Sequence, residues 1–502
     1  MKSRKLIFAS AVLVSVGFLS LARSWAEESK GNKTDAAATV VATPSGGDDA
    51  QPTPELTPFA GVEGLNNRLN KLEKSTVVLT TEHNYLDFSD PSGDVIFKIG
   101  GVVQEDYRSY FGPSTSYDEY VPIGGSGGGV TNFEEGATSP TVNKSTSTFL
   151  NRKTRLDVIG LFDHLVGFRY QAELGATGYA IQDAYAFIKA DPALQFQAGK
   201  FKVPVDLERL QSDTDCLFVE RGLPTDLAPN RDLGAELTGS PWNGVNYAVA
   251  LTNGTPDNYT PNNADDQSLT TGREASGRVF LTPFNSEDSP LKGLGIGVSG
   301  AWAWVVNWNT NALPNYFVTS LGQQQFFAYR TGVGPQGDFY HWAPQAYYYN
   351  GPFGFLGEYI QSIQDVGTST ASAVNLTNQA WLTQASWVIG GKASYQGSTP
   401  DKDLDLRKGQ WGALEVAVRV HQLTLDPNAF SATAASNLAA TNSAQQATAY
   451  GAGLNWIFNP HFKLLFDWEE TDFVEGTQVP GTKALASLLP EDVFTVRAQA
   501  NF

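Results

Sequence analysis

Arginine side chains in the first half of the chain could bind oxyanions reversibly, without making or breaking covalent bonds. Arg155 and Arg169 are two examples, and both lie in stretches where apolar and polar residues alternate. The planar guanidinium group presents a fork of N–H donors that makes two charge-assisted hydrogen bonds to an oxyanion. These residues therefore favour recognition of an anion over covalent catalysis.

Nucleophilic and metal-dependent catalysis have little support in the sequence. A catalytic triad needs a histidine near a serine and an acid, and none of the five histidines lies in a Gly-x-Ser-x-Gly context. No spacing of histidine, cysteine and carboxylate residues is typical of a metal site. Cys216 is the single cysteine, which excludes an intrachain disulfide, and we expect it to be a small buried apolar residue. We expect no enzyme and no cofactor.

The elements that must position the basic residues are strands, as the carboxyl-terminal stretch shows most clearly. Apolar and polar residues alternate there without a break, in the order Phe494, Thr495, Val496, Arg497, Ala498, Gln499, Ala500, Asn501 and Phe502. Strict alternation over about ten residues is typical of a strand with apolar surroundings on one side and water on the other. A soluble sandwich strand can show the same pattern, so recurrence along the chain decides between the two.

The alternation does recur, and it predicts sixteen strands. In one of them Phe168, Tyr170 and Ala172 oppose Arg169 and Gln171. The predicted strands lie near 95–111, 150–162, 165–175, 181–190, 194–201, 230–239, 244–253, 272–282, 293–305, 338–350, 353–364, 380–396, 409–424, 446–458, 461–472 and 490–502.

The predicted connections fall into two classes of length. Those after even-numbered strands are mostly short, such as 163–164 and 351–352, although 283–292 and 397–408 are longer. Those after odd-numbered strands are mostly long: 112–149, 202–229, 254–271, 306–337, 365–379, 425–445 and 473–489. In outer-membrane barrels short turns face the periplasm and long loops face the exterior. The division of lengths therefore favours a membrane barrel over a soluble protein.

We predict an all-β protein, a 16-stranded antiparallel transmembrane β-barrel at 90–502. In hydrocarbon an unpaired backbone N–H or C=O group is costly, so the last strand must pair with the first. Sixteen strands leave a water-filled lumen, with apolar faces toward lipid and polar faces toward water. Trp302, Trp304 and Trp308 fit an interfacial girdle, whereas Tyr347–Tyr349 fit either a girdle or core packing.

The amino terminus predicts export. Basic residues precede an apolar stretch from Leu6 to Ala22, and cleavage is expected after Ala26, which makes 1–26 a signal peptide. Residues 27–60 are predicted to be a disordered linker, and 61–76 a short coiled-coil-like helix that trimerises, contacts the cell wall, or is a frayed turn. The formal net charge of −18 excludes nucleic acid as an obvious partner.

Several segments resemble the phosphate-selective porin O/P family. They are 151–157 with its basic residues, the Gly-Lys-Phe-Lys-Val-Pro segment that begins at 199, 218–234, 385–390 and 491–497. The resemblance covers about 95–502. It implies a trimeric, sixteen-stranded outer-membrane channel whose third long loop folds into the lumen, and a solute class that includes phosphate and polyphosphate.

The resemblance also selects basic positions. Those that match the family pattern are Arg152, Lys153, Lys200, Lys202, Arg221 and Arg231, and the further candidates for the pore are Arg155, Arg169 and Arg209. By alternation Lys153, Arg155 and Arg169 should face the lumen. Loop 202–229 is the candidate constriction, because charge and width at a constriction bias which solutes enter.

The charge of that loop argues against a simple anion site. It carries three basic residues against six acidic ones, and strand arginines could pair with Glu173, Asp157 or Glu236 instead of a solute. The alternatives are therefore a general or cation-preferring porin, or an outer-membrane anchor that tethers the cell wall.

Glu105 falls on the apolar face of the first strand and indicates a bulge, an error in register or a subunit interface.

The expected partners follow from these predictions. They are outer-membrane lipid of a Gram-negative-type envelope, two further copies of the chain in a homotrimer, and small hydrophilic solutes, phosphate among them. The strand that ends in Phe502 is expected to contact the outer-membrane barrel assembly machinery.

Overall fold

The computed structural model describes most of the region predicted to form strands. The described residues are 78–82, 85–90, 92–111, 147–175, 180–258, 273–285, 289–305, 316–368, 373–431, 437–440, 443–476 and 490–502. The predicted signal peptide (1–26), linker (27–60) and short helix (61–76) lie outside these residues.

Sixteen strands within the described ranges form a closed antiparallel barrel, which confirms the predicted fold class. Each strand pairs with the next one along the chain, and the last pairs with the first. The strands are β1 (Val95–Phe111), β2 (Thr148–Phe162), β3 (Val166–Glu173), β4 (Ala180–Asp191), β5 (Leu194–Lys202), β6 (Arg231–Trp242), β7 (Val245–Thr252), β8 (Glu274–Leu281), β9 (Leu294–Val305), β10 (Val333–Asn350), β11 (Phe353–Thr368), β12 (Val374–Ile389), β13 (Ala413–Thr424), β14 (Ala444–Asn459), β15 (Phe462–Glu475) and β16 (Glu491–Asn501).

The barrel closes between β16 and β1. Asp492 pairs with Phe111, and the register runs without a shift to Asn501, which pairs with Val102. Closure supplies partners for backbone groups that an open edge would expose to hydrocarbon. The pairing of the last strand with the first is thus observed.

An amino-terminal hairpin extends the wall beyond the end of β16. Its strands are Val78–Glu82 and Tyr85–Ser89, and the second pairs with the first residues of β1, from Ile96 to Gly100. Because β16 ends at its pair with Val102, the hairpin occupies the edge of β1 that β16 leaves open. These two strands were not predicted, because five residues give too few alternations to distinguish a strand from a turn.

The two faces of the barrel differ as the alternation predicts. On β13, Val416 and Val418 on the outer face are 49% and 57% exposed, whereas Arg419 and His421 on the opposite face are 1% and 0% exposed. The inner face of β16 likewise buries Arg497. An exposed apolar face suits contact with lipid, and the polar face is enclosed by the barrel.

A β-bulge on β2 changes which basic residues face inward. Gln104 pairs with Lys153 and Glu105 pairs with Asn151, so Arg152 is an extra residue between them. A bulge re-aims side chains locally, and both Arg152 and Lys153 consequently reach carboxylates on the inner side. Glu105 stays exposed on the outer face, where it accepts a hydrogen bond of 2.6 Å from Asn151. The bulge that Glu105 indicated therefore lies on the neighbouring strand.

The turns at the two ends of the barrel differ in length as predicted, with corrections near β12. That strand spans Val374–Ile389 rather than 380–396, which shortens the preceding loop and lengthens the following turn to 390–412. The turn contains the small pair Gly391–Lys392 and Thr399–Pro400. The alternation continues past Ile389 in the sequence, but Gly390 has a positive φ of 79° and ends the strand there.

The three consecutive tyrosines near the end of β10, Tyr347–Tyr349, divide between the two faces. Tyr347 stacks on Tyr395 of the 390–412 turn at 5.1 Å between ring centroids, and Tyr349 lies 6.5 Å from the same ring. Tyr348 instead donates a hydrogen bond of 2.5 Å to the Pro290 carbonyl on the exposed side. Tyr347 and Tyr349 therefore pack in the interior, whereas Tyr348 does not.

Trp302 is 45% exposed, as a girdle residue would be, and Trp308 lies outside the described residues.

Helical structure is sparse in the part of the chain that the structure describes. It comprises the α-helix Leu207–Leu210 and the 3-10 helices Leu223–Leu227, Leu406–Lys408 and Pro427–Ala429. No helix within the described ranges combines the length and the apolar composition that crossing a membrane requires.

Candidate functional site

Residues 203–230, called the L3 segment below, join β5 to β6 and lie against the polar face of the barrel. Leu207, Phe218 and Leu227 within it are almost fully buried. Shortly before the segment begins, Gly199 of β5 has a φ of +134°, and a Cβ there would lie 2.3 Å from the Ala184 carbonyl oxygen. A glycine there permits a backbone conformation that other residues rarely adopt, and it precedes the point where the chain leaves the wall.

Backbone amides of the L3 segment donate to side chains on three strands of the opposite wall. Glu358 of β11 accepts from the N–H groups of Leu207 (2.8 Å) and Glu208 (3.1 Å). His421 of β13 accepts through Nδ1 from Leu223 N–H at 3.1 Å. Asp467 of β15 accepts from an L3 amide in the same way. The segment is therefore attached along its length, because buried amides need such partners.

Two buried arginines hold the carbonyl groups of the same segment. Arg419 of β13 donates 2.7 Å to the Glu220 carbonyl and 2.6 Å to the carboxylate of Glu469. Arg497 of β16 donates to the Val219 carbonyl and makes two hydrogen bonds, of 2.6 and 2.8 Å, to Asp106. Neither arginine was a candidate from the sequence. Their positions on the polar faces of β13 and β16 were the available signal.

A cavity of about 250 Å³ remains between the L3 segment and the wall formed by β2 to β6. On the other side of the segment, toward β11 to β15, lies a small cavity of about 10 Å³. Water and solutes therefore have room on the β2–β6 side. Among the described residues that line the larger cavity, six are cationic and four are carboxylates: Arg152, Lys153, Arg155, Arg209, Arg221, Arg231, Glu173, Asp213, Glu220 and Asp226.

Every arginine of β2 in this cavity is bound to a carboxylate. Arg152 makes two hydrogen bonds to Glu220, of 2.6 and 3.0 Å. Arg155 binds Glu173 at 2.5 Å and also contacts Asp213. The pairing of a strand arginine with Glu173, which the sequence left as an alternative, is present. These contacts join the wall to the L3 segment, because Asp213 and Glu220 belong to that segment.

The neighbouring strands carry two further pairs. Arg169 of β3 binds Asp157 at 2.6 Å, and Arg231 of β6 binds Asp183 at 2.8 Å. The Asp157 pairing was one of the expected alternatives. Glu236, the third expected carboxylate, instead accepts a hydrogen bond from the amide of a neighbouring glutamine.

The remaining predicted residues contact the L3 backbone or are buried. Lys202 Nζ lies 2.9 Å from the carbonyl oxygens of both Arg209 and Gln211. Arg209 donates 2.7 Å to the side chain of Asn258, and Arg221 donates 2.9 Å to the Glu208 carbonyl. Lys200 is 1% exposed. The lining of the cavity thus includes six of the nine predicted residues, and Arg169, Lys200 and Lys202 are outside it.

The carboxyl groups of the L3 segment differ in their affinity for protons. Burial alone would raise the pKa of Asp213, but the charges of Arg155, Arg221 and Lys153 outweigh it and hold the pKa well below its usual range. Burial raises the pKa of Asp226 to about 7, although the Val318 N–H group bonds to its carboxylate and opposes the shift. Near neutral pH Asp213 is therefore ionised, whereas Asp226 titrates.

Cys216 is buried and free, as the single cysteine was expected to be. His341 lies 2.6 Å from Asp257 through Nε2, and the described residues include no group of three or more histidine, cysteine or carboxylate side chains placed to hold a metal ion.

Comparison with protein families matches residues 126–502 to the family described as phosphate-selective porin O and P. The chain belongs to this family. The match covers most of the barrel, and with the sixteen-stranded fold it identifies this porin as an outer-membrane channel protein.

Solved structures of outer-membrane proteins are similar to this porin at low sequence identity. Outer-membrane OmpT of Vibrio cholerae is 10% identical, with 82% of this chain and 98% of that chain covered and a TM-score of 0.46. The anion-selective porin from Comamonas acidovorans is 11% identical, with coverages of 81% and 100% and a TM-score of 0.44. The outer-membrane channel DcaP of Acinetobacter baumannii is 9% identical, with coverages of 81% and 97% and a TM-score of 0.45. Comparison with curated proteins found no match.

Proposed function

We propose that this porin passes small hydrophilic anions, phosphate among them, through the cavity between the L3 segment and the β2–β6 wall. The observation that carries the proposal is the excess of cations over carboxylates in that lining. A cleft lined mainly by one sign of charge raises the local concentration of the opposite ion. The L3 segment acts as the constriction in this proposal.

The distribution of charge within the L3 segment supports the proposal despite its acidic composition. Asp206, Glu208 and Asp215 are not among the residues that line the cavity, whereas Asp213, Glu220 and Asp226 are. A count over the whole loop therefore overestimates the negative charge beside the path. Burial in the L3 segment also raises the pKa of Asp226, which lowers the ionised fraction further.

The ion pairs set the expected strength of binding. Arg152 and Arg155 already bind carboxylates, so a passing anion shares their charge instead of having it alone. Weak binding of this kind permits exit, which conduction requires. The alternatives are a general or cation-preferring pore, supported by the same carboxylates, and an outer-membrane anchor.

The proposal is tested with purified protein in a planar bilayer. We expect a reversal potential of the sign for anion preference in a potassium chloride gradient, and a chloride current that falls as inorganic phosphate is titrated, because phosphate occupies the basic cavity. A cation-selective current that phosphate does not reduce would contradict the proposal. Absence of any open-channel current would instead favour the anchor.

We also infer that the chain functions as a homotrimer and reaches the outer membrane through its predicted signal peptide, with the β16 strand and Phe502 contacting the barrel assembly machinery. Phe502 is 53% exposed, which leaves its ring accessible from outside. Cross-linking of the purified protein, followed by mass measurement in detergent, tests the trimer.

The titration of Asp226 predicts a dependence of ion preference on pH. Because its pKa is raised to about 7, the carboxyl is mostly neutral at pH 6 and mostly ionised at pH 8. We expect the anion-to-cation permeability ratio to fall about fourfold over this interval, since a unit negative charge about 8 Å away in water disfavours an anion and favours a cation by about 0.5 kcal/mol each. Reversal potentials at the two pH values measure the change.

The matched variant for this prediction is Asp226→Asn, which keeps the size of the side chain. Its amide oxygen can accept only one of the two hydrogen bonds that the Asp226 carboxylate accepts from Val318 N–H and Asn258 Nδ2. Its permeability ratio should change less between pH 6 and 8 than that of the unaltered porin. An unchanged pH dependence in the variant would assign the titration to another group.

A further inference from the structure

The carboxylate of Asp213 lies among three cations at the edge of the constriction. Lys153 Nζ is 3.0 Å from Oδ1, Arg221 also contacts Oδ1, and Arg155 contacts Oδ2. Lys153 and Arg155 belong to the wall strand β2, whereas Arg221 belongs to the L3 segment. The side chain of Asp213 is 7% exposed, so the charges interact with little screening by water.

Two of the three cations share Oδ1. Lys153 and Arg221 both lie within ion-pair distance of this oxygen. An aspartate offers two oxygens on one plane, whereas phosphate offers four in a tetrahedron. Two guanidinium groups and an ammonium group around one point are a set that binds such an oxyanion well.

The backbone around Asp213 is attached independently of this carboxylate. Gln104 of β1 donates 3.4 Å to the Asp213 carbonyl, and Gln499 of β16 donates 3.0 Å to the Thr214 carbonyl. The turn also has an internal hydrogen bond of 3.0 Å from Asp215 N–H to the Ser212 carbonyl. The position of the turn therefore does not depend on the ion pairs alone.

We propose that Asp213 is an internal competitor for permeating oxyanions: its carboxylate occupies the place among Lys153, Arg155 and Arg221 that phosphate would take. The carboxylate keeps the three cations from binding an anion tightly, and so sets the affinity of the cavity at a level that permits release. This inference deepens the proposed function and concerns the same cavity. The alternative is that Asp213 has a structural role alone and attaches the L3 segment to β2.

The test compares Asp213→Asn with Asp215→Asn in planar bilayers, with inorganic phosphate titrated against a potassium chloride current. Both variants remove one negative charge from the same turn. Asp215 accepts a hydrogen bond from Thr214 and lines the small cavity on the other side of the segment. We expect the half-blocking phosphate concentration to fall about tenfold in Asp213→Asn, the size of effect that a charge-assisted hydrogen bond gives, and by less than about twofold in the control.

The double variant Asp213→Asn with Lys153→Gln distinguishes two causes of tighter phosphate block. One is binding of phosphate at the site that Asp213 vacates, and the other is the change in net charge alone. If the gain arises from the vacated site, removing one of its cations should reverse most of it. Equal gains in Asp213→Asn and Asp215→Asn, or no gain in either, would overturn the proposal. If neither Asp213→Asn nor Asp213→Ser inserts as an open channel, Asp213 has a structural role and the proposal fails.

The outcome is distinguishable from failure of the proposed function. The ion preference of the unaltered porin decides whether it prefers anions. The ratio of the half-blocking phosphate concentrations of Asp213→Asn and Asp215→Asn decides the role of Asp213, even if the unaltered porin prefers cations.

Discussion

Replacing Arg419 with alanine should raise the single-channel conductance several-fold and weaken block by phosphate. Arg419 donates to the Glu220 carbonyl, the Ser320 hydroxyl and the Glu469 carboxylate. It therefore holds both the L3 segment and the segment after β9 against the wall. Without it these segments should be held less firmly, and the constriction that they form should widen.

The expected size of the effect follows from burial. Arg419 and Glu469 are 0% and 2% exposed as side chains, and removing one partner of a buried ion pair typically costs about 3–5 kcal/mol, because the other charge stays behind without compensation. His421 also contacts Glu469 at 3.0 Å and would retain part of the attachment. The strands should remain paired, since their hydrogen bonds are between backbone groups.

The matched control is Lys408→Ala, which removes a cation from an ion pair with Asp405. That pair is exposed, with Lys408 71% accessible, and exposed pairs contribute only about 0–1 kcal/mol. We expect its conductance to equal that of the unaltered protein. Arg419→Lys, which keeps the charge without the planar fork, should lie between the two. A conductance in Arg419→Ala that is no larger than in the control would show that Arg419 does not hold the constriction.

Removing residues 491–502 should abolish the barrel altogether. β16 pairs with β15 from Glu491 to Ala500 and with β1 from Asp492 to Asn501. Its loss would leave two strand edges with unpaired backbone groups in hydrocarbon, each of which is costly. We expect no heat-modifiable band on a gel without boiling, and no protein resistant to protease in the outer-membrane fraction.

The matched control removes residues 78–89, a segment of the same length that also pairs with β1. This hairpin contacts only the Ile96–Gly100 part of that strand, and β16 and β2 still flank the membrane-spanning remainder. The shortened protein should form a heat-modifiable barrel and conduct ions. If both deletions prevented assembly, the hairpin would itself be required for closure of the barrel.

The sequence by itself determined the strands and their two faces. Alternation with a period of two is a local property of the chain, so Val416 and Val418 could be placed opposite Arg419 and His421 without knowing their neighbours. The number of strands, the closure of the barrel and the different lengths of the turns at its two ends followed from the same pattern and from the cost of unpaired backbone groups in lipid.

The register between strands needed the tertiary structure. The extra residue Arg152 on β2 can be recognised only from its pairing with β1, because a bulge is defined by two strands together. The hairpin at 78–89 and the division of Tyr347 and Tyr348 between two faces likewise depend on which surfaces meet.

The partners of the charged side chains were also decided by the tertiary structure. Arg152 pairs with Glu220, 68 residues away, and Arg155 pairs with Asp213, 58 residues away. No local pattern specifies such contacts, because they depend on where the L3 segment lies within the barrel. The loop composition alone indicated an acidic constriction. In the folded chain three of its carboxylates lie away from the larger cavity, because the position of a charge in space, and not its place in the sequence, decides which solute it affects.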